Sequence, residues 1–539
     1  MDTTHGRSGS VDTRQWKALG IAAALLVLST AGCTDATVAP KSTVTGANFF
    51  DDPGSYQAFL AKIYGGLALS GQSGPAGQPD ISGIDEGFSQ YLRLYWETEE
   101  LPTDEAVIAW NDIGLPEMNT QTWTASSAMV VAMYYRIFFQ AGMTNEFLRQ
   151  TTDDKLTARG VSSQLRTQIQ QYRAEARFLR ALSYWHGIDL FGNIPLVTEN
   201  DAIGVTAPKQ STRADIYNYV VSELNAIKAQ LPAPSAATYG RATGPAADML
   251  LAELYLNDSV YTGTANWAGA LTEAQAVIGS TYTLDPNYRH LFTADNNTSP
   301  EIIFAITQDG VHTQTYGGVT FLVHASVGGS MNARNYGIDG GWYGLRLKPE
   351  AYALFGSGDA RASTFYTSGQ SVVVDTIASF SRGIAAPKFT NKTSLGDSGS
   401  NRTFVDTDFP VFRLGEAYLI YAEAQLRGGG GSRAQALTYV NLLRERAYGS
   451  TSGDITDADL TLPSILAERG RELLWETHRR TDLIRYGLFT GGSYLWAWKG
   501  EDPHGTNSAG IATAATRDLY PLPANELIAN PNLKQNPGY

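Results

Sequence analysis

The chain has 539 residues, 43% of them hydrophobic and 17% charged, which supplies ample apolar material for a globular core. Its 40 basic side chains face 53 acidic ones, a net charge of −13, and that balance argues against a nucleic acid as partner. One cysteine excludes a disulfide framework and any cysteine-built zinc or iron–sulfur centre.

Taken in chain order, the first feature is a basic start (Arg7, Arg14, Lys17) leading into an apolar run at 18–28. The run is too short to span a bilayer but has the length of a signal-peptide core. Thr30-Ala31-Gly32-Cys33 follows and resembles a bacterial lipobox, in which the cysteine is acylated and becomes the mature N-terminus. The expected organisation is therefore a lipoprotein signal peptide at 1–32, a tether at 33–46 lipidated on Cys33, and one domain at 47–539. The other reading is a generic signal peptide with Cys33 a buried or free thiol. No later run approaches the roughly 18 apolar residues of a membrane helix, so anchoring without spanning is expected.

Helical signals occupy 47–69 and 125–150, separated by a Gly/Pro-rich stretch at 70–83. Between 173 and 191, Ala176, Leu179, Ser183, His186 and Leu190 recur at steps of three and four and share one helix face; Gly192 and Pro195 then stop the helix. A further amphipathic helix is predicted at 213–231. Two helical pairs follow, 245–256 with 267–278 and 416–426 with 434–447. Their alanines alternate with Tyr, Leu and Trp, which allows close packing and resembles degenerate tetratricopeptide pairs. Residues 285–410 differ: Gly, Ser, Thr and Tyr dominate, and β-branched runs at 301–306 and 371–377 predict short strands. The fold class is mainly α, a superhelical scaffold of tetratricopeptide-like pairs carrying an inserted lobe of loops and strands.

Several segments together resemble the SusD/RagB-like outer-membrane nutrient-binding lipoproteins. They are RAEARFLRALSYWHGIDLFGNIPLVTE (173–199), FPVFRLGEAYLIYAEA (409–424), ILAERGRELLWETHRRTDLIRYG (465–487) and the ending PLPANELIANPNLKQNPGY (521–539). ELPTDEAVIAWND (100–112), MYYRIFFQAGMTNEFL (133–148) and SPEIIFAI (299–306) support them in the same order. The resemblance implies a lipid-anchored, surface-exposed outer-membrane protein. It would bind oligosaccharides, or in some members peptides, as the lid of a SusC-like TonB-dependent transporter. It implies no enzyme activity and no cofactor.

Sugar binding calls for flat apolar faces plus hydroxyl-bonding side chains, and aromatic rings offer such faces while freezing few rotors. The candidates outside the helical pairs are Trp96 and Trp110, with Asn111 and Asp112 beside the latter, then Tyr316, Tyr336, Asp339, Trp342 and Tyr343. The second reading of each ring is filling for the lobe's own core. His312 and His324 share this lobe, whereas His186 reads as a packed core histidine; no histidine spacing suggests a metal. A helix is expected at 465–487, with Glu468, Glu472 and Glu476 at i, i+4 and i+8 on one face among five arginines. A glycosidase would use such carboxylates as acid and base, but ion pairs such as Glu468/Arg471 and Glu476/Arg479 at i, i+3 are the plainer reading. GDSGS (396–400) and GGGGS (428–432) lack the context of a protease or phosphate loop and read as turns.

Overall fold

Several of the longer helices begin where the sequence supplies a capping side chain. The computed structural model describes residues 48–539 except 76–78, 86 and 205, so the expected signal peptide, Cys33 and the tether lie outside the described residues. Within Pro53–Tyr539, which form one compact unit, the order is α1 (Ser55–Ala68), α2 (Tyr91–Glu100), β1 (Ala106–Ile108), α3 (Ala128–Gln150), α4 (Ser163–Phe191) and α5 (Arg213–Ile227). Next come α6 (Gly244–Leu256), α7 (Trp267–Ile278), β2 (Ile302–Ile306), α8 (Gly318–Ala325), β3 (Leu345–Leu347) and β4 (Phe409–Arg413). The chain then forms α9 (Leu414–Leu426), α10 (Arg433–Tyr448), α11 (Leu462–Glu472) and α12 (Arg479–Arg485), with shorter turns between. No described helix is long and apolar enough to cross a membrane.

Side-chain oxygens of Ser162, Thr212, Asn266 and Ser432 accept the first free amides of α4, α5, α7 and α10, which fixes where those helices start. Alanines Ala246, Ala247, Ala270, Ala274, Ala417 and Ala424 are fully buried where α6, α7 and α9 pack on one another. With a methyl as the only side chain at these crossings, backbones approach closely and the neighbouring Leu and Tyr fill the gaps. The mainly helical fold and its paired helices are as expected.

Three expectations need revision. The predicted stripe on α4 is buried, but so is nearly everything from Ala174 to Phe191, because α3 covers one side and α5 another. The expected helix at 465–487 breaks after Glu472, where Trp475 and Thr477 adopt left-handed φ of 61° and 66° before α12 begins. The run 371–377 forms no strand: it has a single bridge, Ser371 to Arg382, and Val373 stays 58% exposed while Val374 is buried. β-Branched composition favours extended backbone, yet without a neighbouring strand no ladder forms.

Two short antiparallel ribbons decide where the lobe sits. β2 pairs with β4 at the foot of α9, and β1 pairs with β3 so that Ala106 faces Leu347 and Ile108 faces Leu345. The second pairing carries the loop after β1 alongside the loop before β3.

Candidate functional site

The β1–β3 pairing continues one step, the Ala109 amide donating to the Gly344 carbonyl at 3.0 Å. This sets Trp110 beside Trp342, and the Trp110 indole N–H donates to the Trp342 carbonyl at 2.9 Å. The two rings lie 6.2 Å apart at 46°, and Tyr316 lies 6.3 Å from Trp342 at 51°. All three are half-buried. They form an open arc of rings, each held from behind.

The support is specific. Trp342 stacks on buried His324 at 4.5 Å and 25°, its amide donates to the His324 carbonyl at 2.8 Å, and Phe404 backs Tyr316 at 5.3 Å. His324 Nδ1 bonds the Gly340 carbonyl at 2.7 Å, and burial depresses its pKa, so the ring under Trp342 is neutral at neutral pH. The loop passes so near α8 that a side chain at Gly341 would collide with the Val327 carbonyl, and one at Gly344 would lie 2.9 Å from the Trp110 ring. Glycine at both positions lets the strap lie flat beneath the rings.

Polar groups edge the arc. Asn111 and Asp112 are exposed next to Trp110. Asp339 is also exposed and accepts from the Thr403 hydroxyl at 2.6 Å. Tyr343 is 52% exposed, at a left-handed φ of 56°, and meets Phe380 edge-on at 5.7 Å. Rings plus carboxylate and amide edges can stack on the C–H faces of a sugar and bond its hydroxyls.

The other sequence candidates divide. Trp96 is a correction: it is fully buried, its N–H donates to the Trp475 carbonyl at 3.0 Å, and its ring meets Phe321 at 5.8 Å, so no face is free for a ligand. Helix α2 is covered on every side, which its loop-like neighbours in the sequence conceal. Since Phe321 also touches Trp110 at 5.7 Å, Trp96 serves as a layer under the arc. Tyr336 lies at the far end of the Trp342 loop, with Arg289 and Tyr366 as its charged and polar neighbours. His312 is exposed and bonds Asp309 at 3.0 Å; His186 is buried and stacks on Tyr95 at 3.8 Å.

Sequence reasoning missed Arg93. Its guanidinium lies over Phe321 at 4.4 Å and near Trp110 at 5.6 Å, fixed by Glu97 at 2.8 Å. The i, i+4 spacing to Glu97 announces an ion pair but gives no hint of the rings.

The carboxylate set belongs to the scaffold. Glu468 bonds Arg361, Arg444 and Arg471, all at 2.6–2.7 Å, and Glu472 bonds Arg361, Arg413 and Arg446. Burial opposes charge on Glu468, yet Arg361, Arg471 and Arg444 outweigh it and hold its pKa at about 2; three arginines likewise hold Glu472 low. Such carboxylates carry no proton to donate at neutral pH. The expected Glu468/Arg471 pair is present, but Glu476/Arg479 is not. The break after Glu472 turns Glu476 to Arg413 and Lys388, while Arg479 reaches Asp104 at 2.6 Å.

One cluster gathers metal-ligand types that the sequence did not bring together: buried Glu253, Glu416 and His478, whose ligand atoms lie within 4.8 Å of one another. Arg469 stands 3.7 Å from Glu253, a cation already in place. Burial and the Glu253 charge push the Glu416 carboxyl well above the carboxylate range, and burial lowers His478 to about 4. Burial thus favours the uncharged acid on Glu416 and the neutral ring on His478, which suits a buried hydrogen-bonded cluster better than a bound cation. A raised pKa means the folded state holds a proton that the unfolded chain releases above about pH 4.5, so Glu416 costs stability as pH rises from there. Glu416→Gln should then melt higher than wild type at pH 7.5, with the gap closing below pH 4.5; a lower melting temperature at pH 7.5 would refute the assignment.

Comparison with known proteins identifies the family and the fold. The SusD family pattern matches residues 363–539. Starch-binding protein SusD of Bacteroides thetaiotaomicron is 34% identical, with 98% of this chain and 100% of that protein aligned. SusD-like protein P2 of Formosa agariphila is 27% identical over 96% and 98% of the two chains. Among solved structures, surface glycan-binding protein A of Bacteroides thetaiotaomicron in complex with laminarihexaose superposes with a TM-score of 0.67 at 21% identity, covering 89% of this chain and 98% of that one. A 34% identical alignment with SusD over nearly the whole of both chains, together with the shared fold, shows that the chain belongs to the SusD family.

Proposed function

We propose that this protein is a cell-surface glycan-binding lipoprotein that holds an oligosaccharide across Trp110, Tyr316 and Trp342 by stacking and hydrogen bonding, without covalent chemistry. The observation that carries the reading is the arc itself: three half-buried rings, pinned from behind by His324, Phe321 and Phe404, with Asn111, Asp112 and Asp339 exposed at its edge. Rings fixed before binding lose little entropy when a ligand arrives. Tyr343 is exposed next to Trp342 in the chain, and Arg93 steadies Trp110 from below. Relatives named for starch and for laminarihexaose favour a polysaccharide fragment as ligand. Family membership supports the remainder of the reading: anchoring in the outer membrane through lipid on Cys33, and service as the lid of a SusC-like TonB-dependent transporter.

The test is calorimetric titration of the full-length protein with maltooligosaccharides and laminarioligosaccharides, followed by chromatography of the sugars. Saturable binding to one series, with sugar lengths unchanged, is the expected result. Shortened sugars would replace binding with hydrolysis, and silence in both series would refute these two ligand classes.

A further inference from the structure

A second crevice lies beyond the arc. It has a volume of about 510 Å³, and its walls include Arg289, Arg334 and Lys392 with Asn287, Asn335 and Thr390. In a chain of net charge −13 this is a local reversal of sign. Four buried arginines of the scaffold, Arg361, Arg413, Arg446 and Arg479, are spent on carboxylates. Arg289, Arg334 and Lys392 are not: among the described residues, none has a carboxylate within ion-pair distance. Lys392 gives one hydrogen bond, to the Gly396 carbonyl at 3.1 Å, which leaves two of its three N–H groups unused.

The walls are tied to one another through main-chain bonds. The Thr390 amide donates to the Phe292 carbonyl at 3.0 Å, Asn391 to Tyr336 at 2.9 Å, and Ala294 to Lys392 at 2.8 Å. Arg289 and Arg334 each sit in a short turn whose amide is held by an asparagine side chain, Asn287 or Asn332, at 3.1 Å. Three cations gathered on fixed backbone repel one another, and no ion pair among the described residues offsets that repulsion. A rim carboxylate, Asp295, accepts from the Ser394 amide, the Ser394 hydroxyl and the Thr293 hydroxyl at 2.6–2.8 Å, and so is turned to those donors.

We propose that this crevice is a second saccharide subsite, which takes the anionic substituent of an acidic glycan, a carboxylate or a sulfate ester. Two guanidinium forks and an ammonium suit oxyanions, and the flanking amides and Thr390 suit sugar hydroxyls. The inference rests on the glycan-binding reading for the rest of the ligand. The two subsites share one loop: Tyr336 borders the crevice, and Trp342 of the arc follows six residues later, so their backbones are separated by at most about 22 Å. An oligosaccharide can span that gap. Because the cations are solvent-facing, their attraction is screened, and binding through them weakens as salt rises.

The test compares the full-length protein with a Arg289→Gln, Arg334→Gln, Lys392→Gln triple variant and with Lys392→Gln alone. The probes are oligogalacturonates (carboxylate), carrageenan oligosaccharides (sulfate ester) and neutral laminarioligosaccharides, each titrated at 50 and 500 mM NaCl. At least one acidic series should bind the wild type, lose tenfold or more in affinity in the triple variant, and weaken at high salt; the single variant should lose part of this. Melting temperatures should not fall, since none of the three side chains makes an internal ion pair and their mutual repulsion is removed. Which acidic series responds names the substituent. If neither acidic series binds, or the triple variant binds both as the wild type does, the subsite is refuted. Failure of the glycan-binding reading looks different: the neutral series is then not bound, and Trp342→Ala changes no titration.

Discussion

Trp342→Ala should weaken binding of a neutral oligosaccharide at least tenfold, and Trp110→Ala should do nearly as much. Trp342 is the middle ring of the arc, flanked by Trp110 at 6.2 Å and Tyr316 at 6.3 Å, and it lies flat on neutral His324. Truncation removes a stacking face and leaves a gap over His324 that water fills. Tenfold corresponds to about 1.4 kcal/mol, well inside the range for a ring at the centre of a binding face. The Trp342 carbonyl survives the substitution and still accepts the Trp110 N–H, so Trp110 keeps its anchor. Trp96→Phe is the matched contrast: it loses the hydrogen bond to the Trp475 carbonyl and touches the arc only through Phe321, so it should change stability before affinity. Calorimetry on folded variants decides the matter. Affinities within twofold of wild type for both Trp342→Ala and Trp110→Ala would remove the arc from the binding site.

Glu472→Gln should be the most destabilising single change at the α11–β4 junction, costing about 3–5 kcal/mol as broken buried ion pairs do. The Glu472 side chain is fully buried and shared by Arg361, Arg413 and Arg446, and glutamine neutralises none of them. The same network sets an acid limit. Glu468 titrates in the folded state at about 2 against an ordinary 4.5, and Glu472 is also held low. Depressed carboxylates give stability that is complete above about pH 4.5 and fades as pH falls toward 2. The melting deficit of Glu472→Gln should accordingly be largest near pH 7 and shrink below pH 4.5. A deficit that stays constant from pH 7 to pH 3 would mean that the charges do not carry the stability.

Much of the scaffold was legible because helices are local. The pairs at 245–256 with 267–278 and at 416–426 with 434–447 appear within two residues of their predicted ends, since caps, alanine spacing and glycine stops all act within a few residues. The rule failed where packing took over. The helix through 465–487 has adequate propensity throughout, yet it breaks after Glu472, so that the Trp475 amide meets Glu105 and the Thr477 amide meets Glu100, contacts some 370 residues away in sequence. No local pattern encodes a partner at that distance.

The candidate site shows the same division. Sequence by itself pointed to the family and the helical scaffold, and it offered candidates for the site, because aromatic and polar residues in a glycine-rich loop are visible one by one. It placed Trp110, Asn111, Asp112, Asp339, Trp342 and Tyr343 among its candidates, and these do lie on or beside one arc. Only tertiary structure decided which rings face outward. Trp96 and Trp110 are equally aromatic, but α2 carries Trp96 beneath Phe321 while the β1–β3 pairing lifts Trp110 to the surface beside Trp342, 232 residues away. Burial depends on what the rest of the chain lays over a side chain, and that is a sum over long-range contacts that no window of sequence contains.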